Sequence, residues 1–386
     1  MQCQSLESAW LDPVSNRPIW CPVHATPTCR ESHLGVVASL PVSSAPAEPP
    51  VGKAEGGEDA LSRLAGLLHR DLEACNRAIV ARMDSPVALI PQLAAHIVAA
   101  GGKRIRPLLT LAAARMCGYP DAPDGMRHVH LATCVEFIHT ATLLHDDVVD
   151  ESLLRRGLAS ANAVFGNKAS VLVGDFLFAR SFQLMVDDGS LRVLAILSRA
   201  AATIAEGEVL QLVTQNDLST SETRYLEVIK GKTAALFSAA CQVGAVVAER
   251  PAREEQALAD YGMNLGIAFQ LVDDALDYAA DQATLGKTVG DDFREGKITL
   301  PVLAAFQAGD ASERDFWRRT IESSEQREDD LDHALHLMQR RGAIRTTLDR
   351  AARFAADAQR ALAPFPDTEL RSCLAAVADY TLSRAR

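Results

Sequence analysis

The sequence predicts an all-α protein built as a helical bundle, on three observations. From about Glu58 to the C-terminus apolar residues recur at helical spacing almost without a break. Apolar residues make up 48% of the 386-residue chain but aromatics only 5%, with abundant Ala and Leu. That composition suits closely packed helices better than strands, which draw on β-branched and aromatic side chains. No Asn-Gly hairpin signal flanked by alternating residues occurs.

Taken in order, residues 1–58 stand apart. They hold eight of the seventeen prolines, with Ser, Gly and Glu, and show no sustained helical period, so they read as a disordered or non-native-like extension ahead of a domain over 59–386. Cys21, His24, Cys29 and His33 have the look of metal ligands, but their order matches none of the usual zinc spacings. Leu61, Leu64, Ala65, Leu68 and Leu72 make the first apolar stripe. Helices are predicted over 87–100, 103–117, 128–150, 168–187, 190–212, 222–248, 253–280 and 298–308, then 311–322, 327–341, 344–362 and 367–384.

The net charge of −11 argues against nucleic acid as a partner, so any anion must be met by local basic clusters or by metal. Eight scattered cysteines read as reduced thiols of a cytoplasmic protein. No uninterrupted apolar run is expected to reach the roughly 20 residues of a membrane span. The first residues lack the basic and apolar regions of a secretory signal.

Two motifs dominate the chain. Asp146, Asp147 and Asp150 form D-D-x-x-D at the end of the apolar stretch Thr142-Leu-Leu-His145, and Asp273, Asp274 and Asp277 repeat it after Phe269-Gln-Leu-Val272. On a helix, residues four apart lie on one face about 6 Å apart along the axis, so the carboxylates repel. Such a face calls for cations; Mg²⁺, which takes one or two carboxylates and completes its shell with water and phosphate oxygens, fits a diphosphate receptor. A lone cluster reads equally well as a solvated helix end, but a second copy with the same spacing does not.

Basic groups accompany both motifs. Gly101-Gly-Lys-Arg-Ile-Arg-Pro107 opens a helix and sets Lys103 and Arg106 near its free N–H groups. Arg155 and Arg156 follow the first motif, and Lys287 and Lys297 follow the second. The mixture of forked arginines and point-charge lysines suits two diphosphates, one held through metal and one directly.

Together with Val173-Gly-Asp175-Phe, Gly231-Lys-Thr233 and Leu285-Gly-Lys-Thr-Val-Gly-Asp-Asp292, these motifs resemble the trans-isoprenyl diphosphate synthases over about 320 residues. Glu136-Phe-Ile-His-Thr-Ala-Thr-Leu-Leu-His145 and Ile204-Ala-Glu-Gly-Glu-Val-Leu-Gln211 bring the chain nearest the bacterial octaprenyl and longer-chain branch. The resemblance implies an isoprenoid-synthase helical bundle around a central active-site cavity, and a Mg²⁺-dependent prenyltransferase. It implies isopentenyl diphosphate at Lys103, Arg106, His139 and Arg156, and metal at Asp146, Asp150, Asp273 and Asp277, with Asp147 and Asp274 beside them. Arg155, Lys232, Thr233, Gln270, Lys287 and Lys297 match the remaining contacts to the allylic diphosphate. It further implies a homodimer, at most transient contact with a membrane surface, and a product that becomes the side chain of a respiratory quinone.

Ala141 and Thr142 lie one helical turn before Asp146, where a growing tail must pass, and their small size predicts a product of about C40 to C50. Close helix packing would also explain an Ala there. A short-chain synthase and a non-catalytic subunit of the same fold are the alternatives. A terpene cyclase typically lacks the second D-D-x-x-D, and a di-iron bundle would need a second Glu-x-x-His beyond Glu136-x-x-His139.

Overall fold

The computed structural model describes residues 57–99, 101–121, 126–155, 157–279 and 289–385. The proposed extension over 1–58, with its Cys and His pairs, lies outside the described residues except for Gly57 and Glu58, which already belong to the first helix; Arg156 and Lys287 also lie outside them. The described chain is helical nearly throughout: α1 (Gly57–Leu67), α2 (His69–Arg82), α3 (Leu89–Ala99), α4 (Ile105–Met116) and α5 (Arg127–Val149) come first. A two-stranded antiparallel hairpin, β1 (Leu154–Arg155) and β2 (Leu158–Ala159), precedes α6 (Ala161–Phe165), α7 (Asn167–Asp188) and α8 (Leu191–Thr214). Then come α9 (Glu222–Ile229), a π-helical turn (Lys230–Ala234), α10 (Ala235–Val247) and α11 (Ala252–Ala279). The rest is α12 (Asp291–Arg294), α13 (Leu300–Ala308), α14 (Ala311–Trp317), α15 (Asp330–Arg340), α16 (Ala343–Ala361) and α17 (Glu369–Ser383).

α5 is the central helix. Val129, Leu131, Ala132, Cys134, Val135, Phe137 and Ile138 are all fully buried, because α2, α4, α7 and α10 surround it. A side chain such as Phe137 contributes about 2 kcal/mol by leaving water. α11 is the second long axis, packed on α10 and α16, and α10 touches both axes. A second apolar cluster gathers Phe293, Val302, Trp317, Ile321, Leu337 and Met338 around the C-terminal helices. There Asp310 and Glu313 form a reciprocal capping box at the start of α14, which fixes where that helix begins.

The structure departs from the sequence-based expectation at several places, among them the helix expected over 311–322, which ends in a π-helical turn over Arg318–Glu322. The stripe from Leu61 to Leu72 is divided at Leu68 between α1 and α2. The helix expected over 222–248 is interrupted by the π turn, where one extra residue per turn is accommodated. The hairpin at β1 and β2 is unexpected; Gly157, at φ +78°, supplies the left-handed backbone that an Asn-Gly pair would otherwise provide. Finally α7, 22 residues with a mean hydropathy of 1.4 over its best window, is by length and composition apolar enough to cross a membrane, although Asp175 and Arg180 keep it from being an uninterrupted apolar run. One of its faces is buried against α5 and the other carries Asp175 and Arg180 beside Val171, Leu172, Phe182 and Val186.

Candidate active site

The first aspartate motif ends α5 and the second lies near the end of α11, so both long axes deliver carboxylates at their C-terminal ends. Between them the chain interposes cations. Lys232, on the π turn, stands 3.7 Å from Asp146 and 2.7 Å from Glu208 of α8. Lys297 donates to Asp150 at 3.1 Å, pairs with Glu295 and lies 4.0 Å from Asp292. Arg384, just past α17, meets Asp273 at 2.7 Å with its guanidinium 4.5 Å over the Phe269 ring.

Glycine contact places Lys232. A Cβ at Gly207 of α8 would come within 2.4 Å of the Lys232 backbone nitrogen, and one at Gly231 within 3.0 Å of the Gly207 Cα. Only a pair of glycines lets α8 and the π turn approach so closely that Glu208 and Lys232 share one spot. Lys297 is placed from the same helix: Gln215 and Asn216, just beyond α8, donate to the carbonyls of Glu295 and Gly296 at 2.5 and 3.0 Å.

The middle aspartates turn away from these cations. Asp147 is buried and accepts from Arg155 Nε at 2.7 Å, while its own carbonyl accepts from Asn162 at 2.9 Å. Asp274 is buried and accepts from the Tyr225 hydroxyl at 2.5 Å and from Gln270 at 2.8 Å; Thr233 donates to the Gln270 oxygen at 2.8 Å. Thus Arg155, Thr233 and Gln270 are assembled on the middle aspartates, and Asp146, Asp150, Asp273 and Asp277 are left at partly exposed positions. Asp277 accepts from the Asp292 backbone N–H at 3.1 Å.

The electrostatics follow from burial. Desolvation pushes the Asp146 carboxyl up, and it pushes Glu208 up to about 7 with Asp146 as the next cause. Asp274 is pushed up to about 7 by burial and then by Asp292. Burial pulls Lys232 and Lys297 down, but the carboxylates around each outweigh it and hold both ammonium groups above the usual lysine range. The site is a set of sheltered carboxylates balanced by sheltered ammonium groups. Among the described residues no three Asp, Glu, His or Cys side chains converge into a closed metal cage. The donor set is carboxylate only, in pairs, which suits a hard cation that keeps water and takes the remaining oxygens from a ligand.

A second cluster lies at the start of α4. Gly101, at φ +67°, leads into Lys103, which meets the Tyr380 hydroxyl of α17 and sits 4.9 Å from that ring. Arg106 donates to His139 Nε2 at 3.0 Å and stacks 4.5 Å over Phe237. Arg104 pairs with Glu136. His139, Thr140, Asp147 and Arg155 line a cleft shared with Gly101, Arg104 and Glu136, so this cluster adjoins the first aspartate motif. Ala141 is fully buried in the core, whereas Thr142 is partly exposed and donates to the His139 carbonyl at 2.7 Å.

Several site residues escape the sequence reading. Glu208 and Asp292 stand inside quoted motifs but carry no spacing signal of their own. Tyr225, Tyr380 and Arg384 have no local signal, since only tertiary packing brings α9 and α17 to the aspartates.

An all-helical bundle that presents paired carboxylates and interleaved cations from two long helices is the frame of a diphosphate-handling enzyme. Residues 87–338 match the polyprenyl synthetase family model, and the chain belongs to that family of prenyltransferases. It is 48% identical to the octaprenyl diphosphate synthase of Escherichia coli K12, covering 84% of this chain and 99% of that protein. Among solved structures, a decaprenyl diphosphate synthase from Rhodobacter capsulatus superposes with a TM-score of 0.80 at 55% identity, over 84% of this chain and 99% of that one. A polyprenyl synthase from Caulobacter crescentus CB15, complexed with calcium and isoprenyl diphosphate, gives 0.82 at 52% identity over 86% and 100%.

Proposed function

We propose that residues 59–386 form the catalytic domain of a long-chain trans-polyprenyl diphosphate synthase. It condenses isopentenyl diphosphate with allylic diphosphates, head to tail, to a product of about C40 to C50 that grows between apolar helix walls which exclude water. The observation that carries this reading is the set of three cations, Lys232, Lys297 and Arg384, each set against one aspartate of the two motifs. Long-chain relatives similar over nearly their whole length support the choice of product class.

In this reading Asp146, Asp150, Asp273 and Asp277 would hold Mg²⁺, which when bound supplies positive charge to a diphosphate that protein cations alone cannot neutralise. The chain's own part is orientation and electrostatics. Lys232, Lys297, Arg155, Thr233, Gln270 and Lys287 hold the allylic diphosphate, and the basic members stabilise charge that develops on pyrophosphate as the allylic C–O bond breaks. Lys103, Arg106, His139 and Arg156 hold isopentenyl diphosphate so that its C=C attacks the allylic carbocation. The departing pyrophosphate takes the proton whose loss completes the new double bond. Asp147 and Asp274 act by holding Arg155 and Gln270 rather than by touching substrate.

The protein works as a cytoplasmic homodimer, and its product serves as a respiratory quinone side chain. What supports the dimer is an apolar face across α7 and α8: Leu172, Phe182 and Val186 on one, Leu191, Val209, Leu212 and Val213 on the other, all exposed in the single chain. Membrane contact is limited to transient release of an insoluble product at the lipid surface.

The deciding experiment incubates purified protein with farnesyl diphosphate, labelled isopentenyl diphosphate and Mg²⁺, then separates the extracted products by length. A Mg²⁺-dependent ladder ending at about C40 to C50 is expected from a site that ionises one diphosphate while holding another. A short end point would keep the chemistry and overturn the product class, and no product would point to a non-catalytic subunit.

A further inference from the structure

We infer that Arg104 is a positioning residue for the isopentenyl diphosphate site: paired with Glu136, it fixes the turn that aims Lys103 and Arg106. The inference rests on the reading that Lys103, Arg106 and His139 hold that substrate.

The backbone supplies the first reason. Arg104 occupies the left-handed region at φ 47° and ψ 37°, a conformation that a side-chain-bearing residue adopts only when its surroundings impose it. It is also the residue on which α4 starts, since its carbonyl accepts from the Leu108 N–H at 3.0 Å, while its side chain gives the helix no cap. The reversal at Arg104 sends consecutive residues in different directions: Lys103 to Tyr380 of α17, Arg104 to Glu136 of α5, and Arg106 to His139 of α5.

The partner supplies the second reason. Glu136 lies three residues before His139, one helical turn back on the same face of α5. Its side chain is only 9% exposed and that of Arg104 only 18%. A sheltered ion pair does little for net stability, because desolvation offsets most of the attraction, but it tolerates few geometries. Here it ties the loop before α4 to the helix that carries His139, and both members line the cleft next to His139. The anion-binding side chains on either side of Arg104 are thereby held in one register to a third on another helix. Arg104 itself spends its guanidinium on Glu136.

The test is steady-state kinetics and unfolding of Arg104→Gln, Glu136→Gln, Arg104→Lys and Lys103→Ala in the full chain. Positioning predicts that Arg104→Gln and Glu136→Gln each raise the KM for isopentenyl diphosphate by about tenfold or more, with the KM for farnesyl diphosphate within about twofold, at a temperature where both variants are folded although breaking a sheltered pair lowers their Tm, while Arg104→Lys recovers part of the loss. If Arg104→Gln raises that KM and Glu136→Gln does not, Arg104 contacts substrate itself and the positioning role is overturned. Equal rises in both KM values in folded protein would make the pair merely structural and overturn it as well. Lys103→Ala separates the two readings. If it too leaves the isopentenyl diphosphate KM unchanged, the assignment of the site has failed, whereas a rise for Lys103→Ala with none for Arg104→Gln removes only the inference about Arg104.

Discussion

Lys297 Nζ lies 3.1 Å from the Asp150 carboxylate, 147 residues away, and so ties the loop after the second aspartate motif to the end of the first. The same ammonium pairs with Glu295 and approaches Asp292, whose backbone N–H bonds Asp277. One lysine therefore balances carboxylates around both motifs. Lys297→Met should leave Asp150, Glu295 and Asp292 repelling one another and remove a cation from the allylic site. The expected result is a loss of about 10²-fold in kcat/KM for farnesyl diphosphate, as for other electrostatic groups at a reacting centre. Varying each substrate in turn checks it, and an unchanged farnesyl diphosphate dependence would count against a role for Lys297 at that site.

Gly207→Ala is a steric experiment on the same site. The added methyl would lie 2.4 Å from the Lys232 nitrogen, and the obstacle is backbone, which cannot rotate aside. Overpacking of this kind costs about 1–3 kcal/mol, and relief requires α8 and the π turn to separate. Separation pulls Lys232 from Glu208 and Asp146, so turnover should fall further than stability alone explains. Denaturant unfolding alongside kinetics at a temperature where the variant is folded distinguishes the two effects. Wild-type turnover in a fully folded variant would show that the glycine contact does not place Lys232.

These two residues also mark what a sequence can and cannot disclose. The aspartates and Lys103 are legible because chemistry fixes their spacing along a single helix or loop. The long helices are legible because α10 and α11 repeat apolar residues at helical spacing. The π turn is not, because Lys230 to Ala234 differ from a helix only through the approach of Gly207, which lies two dozen positions earlier. Arg384 and Tyr380 are illegible for the same reason: their place follows from α17 packing against α1, α16 and α11. The hairpin at 154–159 escapes since two-residue strands carry no period. For Asp147 and Asp274 the spacing gives only a place beside the other aspartates, and it takes burial to show which partners they turn to: Arg155, Tyr225 and Gln270.

A pH dependence comes from α2. Burial raises the Asp71 carboxyl, but His128, 3.2 Å away, and Arg115 outweigh it and hold the group well below the usual carboxylate range; Arg115 donates to it twice at 2.6 Å. The folded value lies below the unfolded one, so this contribution is fully present above the unfolded pKa of 3.8 and is lost as pH falls through the folded value. Asp71→Asn removes one partner of a sheltered pair and should cost about 3 kcal/mol near pH 7. The gap to wild type should close as the solution is taken well below pH 4. Unfolding midpoints across that range check it, and a gap that stayed constant in acid would be inconsistent with an ionised Asp71.

The turn before the first motif gives the sharpest test of product length. Ala141 and Thr142 are both small, yet the structure separates them: Ala141 is fully buried among core side chains, and Thr142 is partly exposed beside His139. Close packing accounts for Ala141, so Ala141→Phe forces a ring into filled space and should cost about 3 kcal/mol through overpacking, with low yield of folded protein. Thr142→Phe meets no such obstacle on its exposed side. If the growing chain runs along this face of α5, the ring blocks it and the product ladder should stop several units short of that of the wild type, with the first condensation little affected. Product analysis with farnesyl diphosphate and labelled isopentenyl diphosphate reads the outcome directly. An unchanged ladder from a folded Thr142→Phe enzyme would place the tail elsewhere, and the small residues of this turn would then serve helix packing alone.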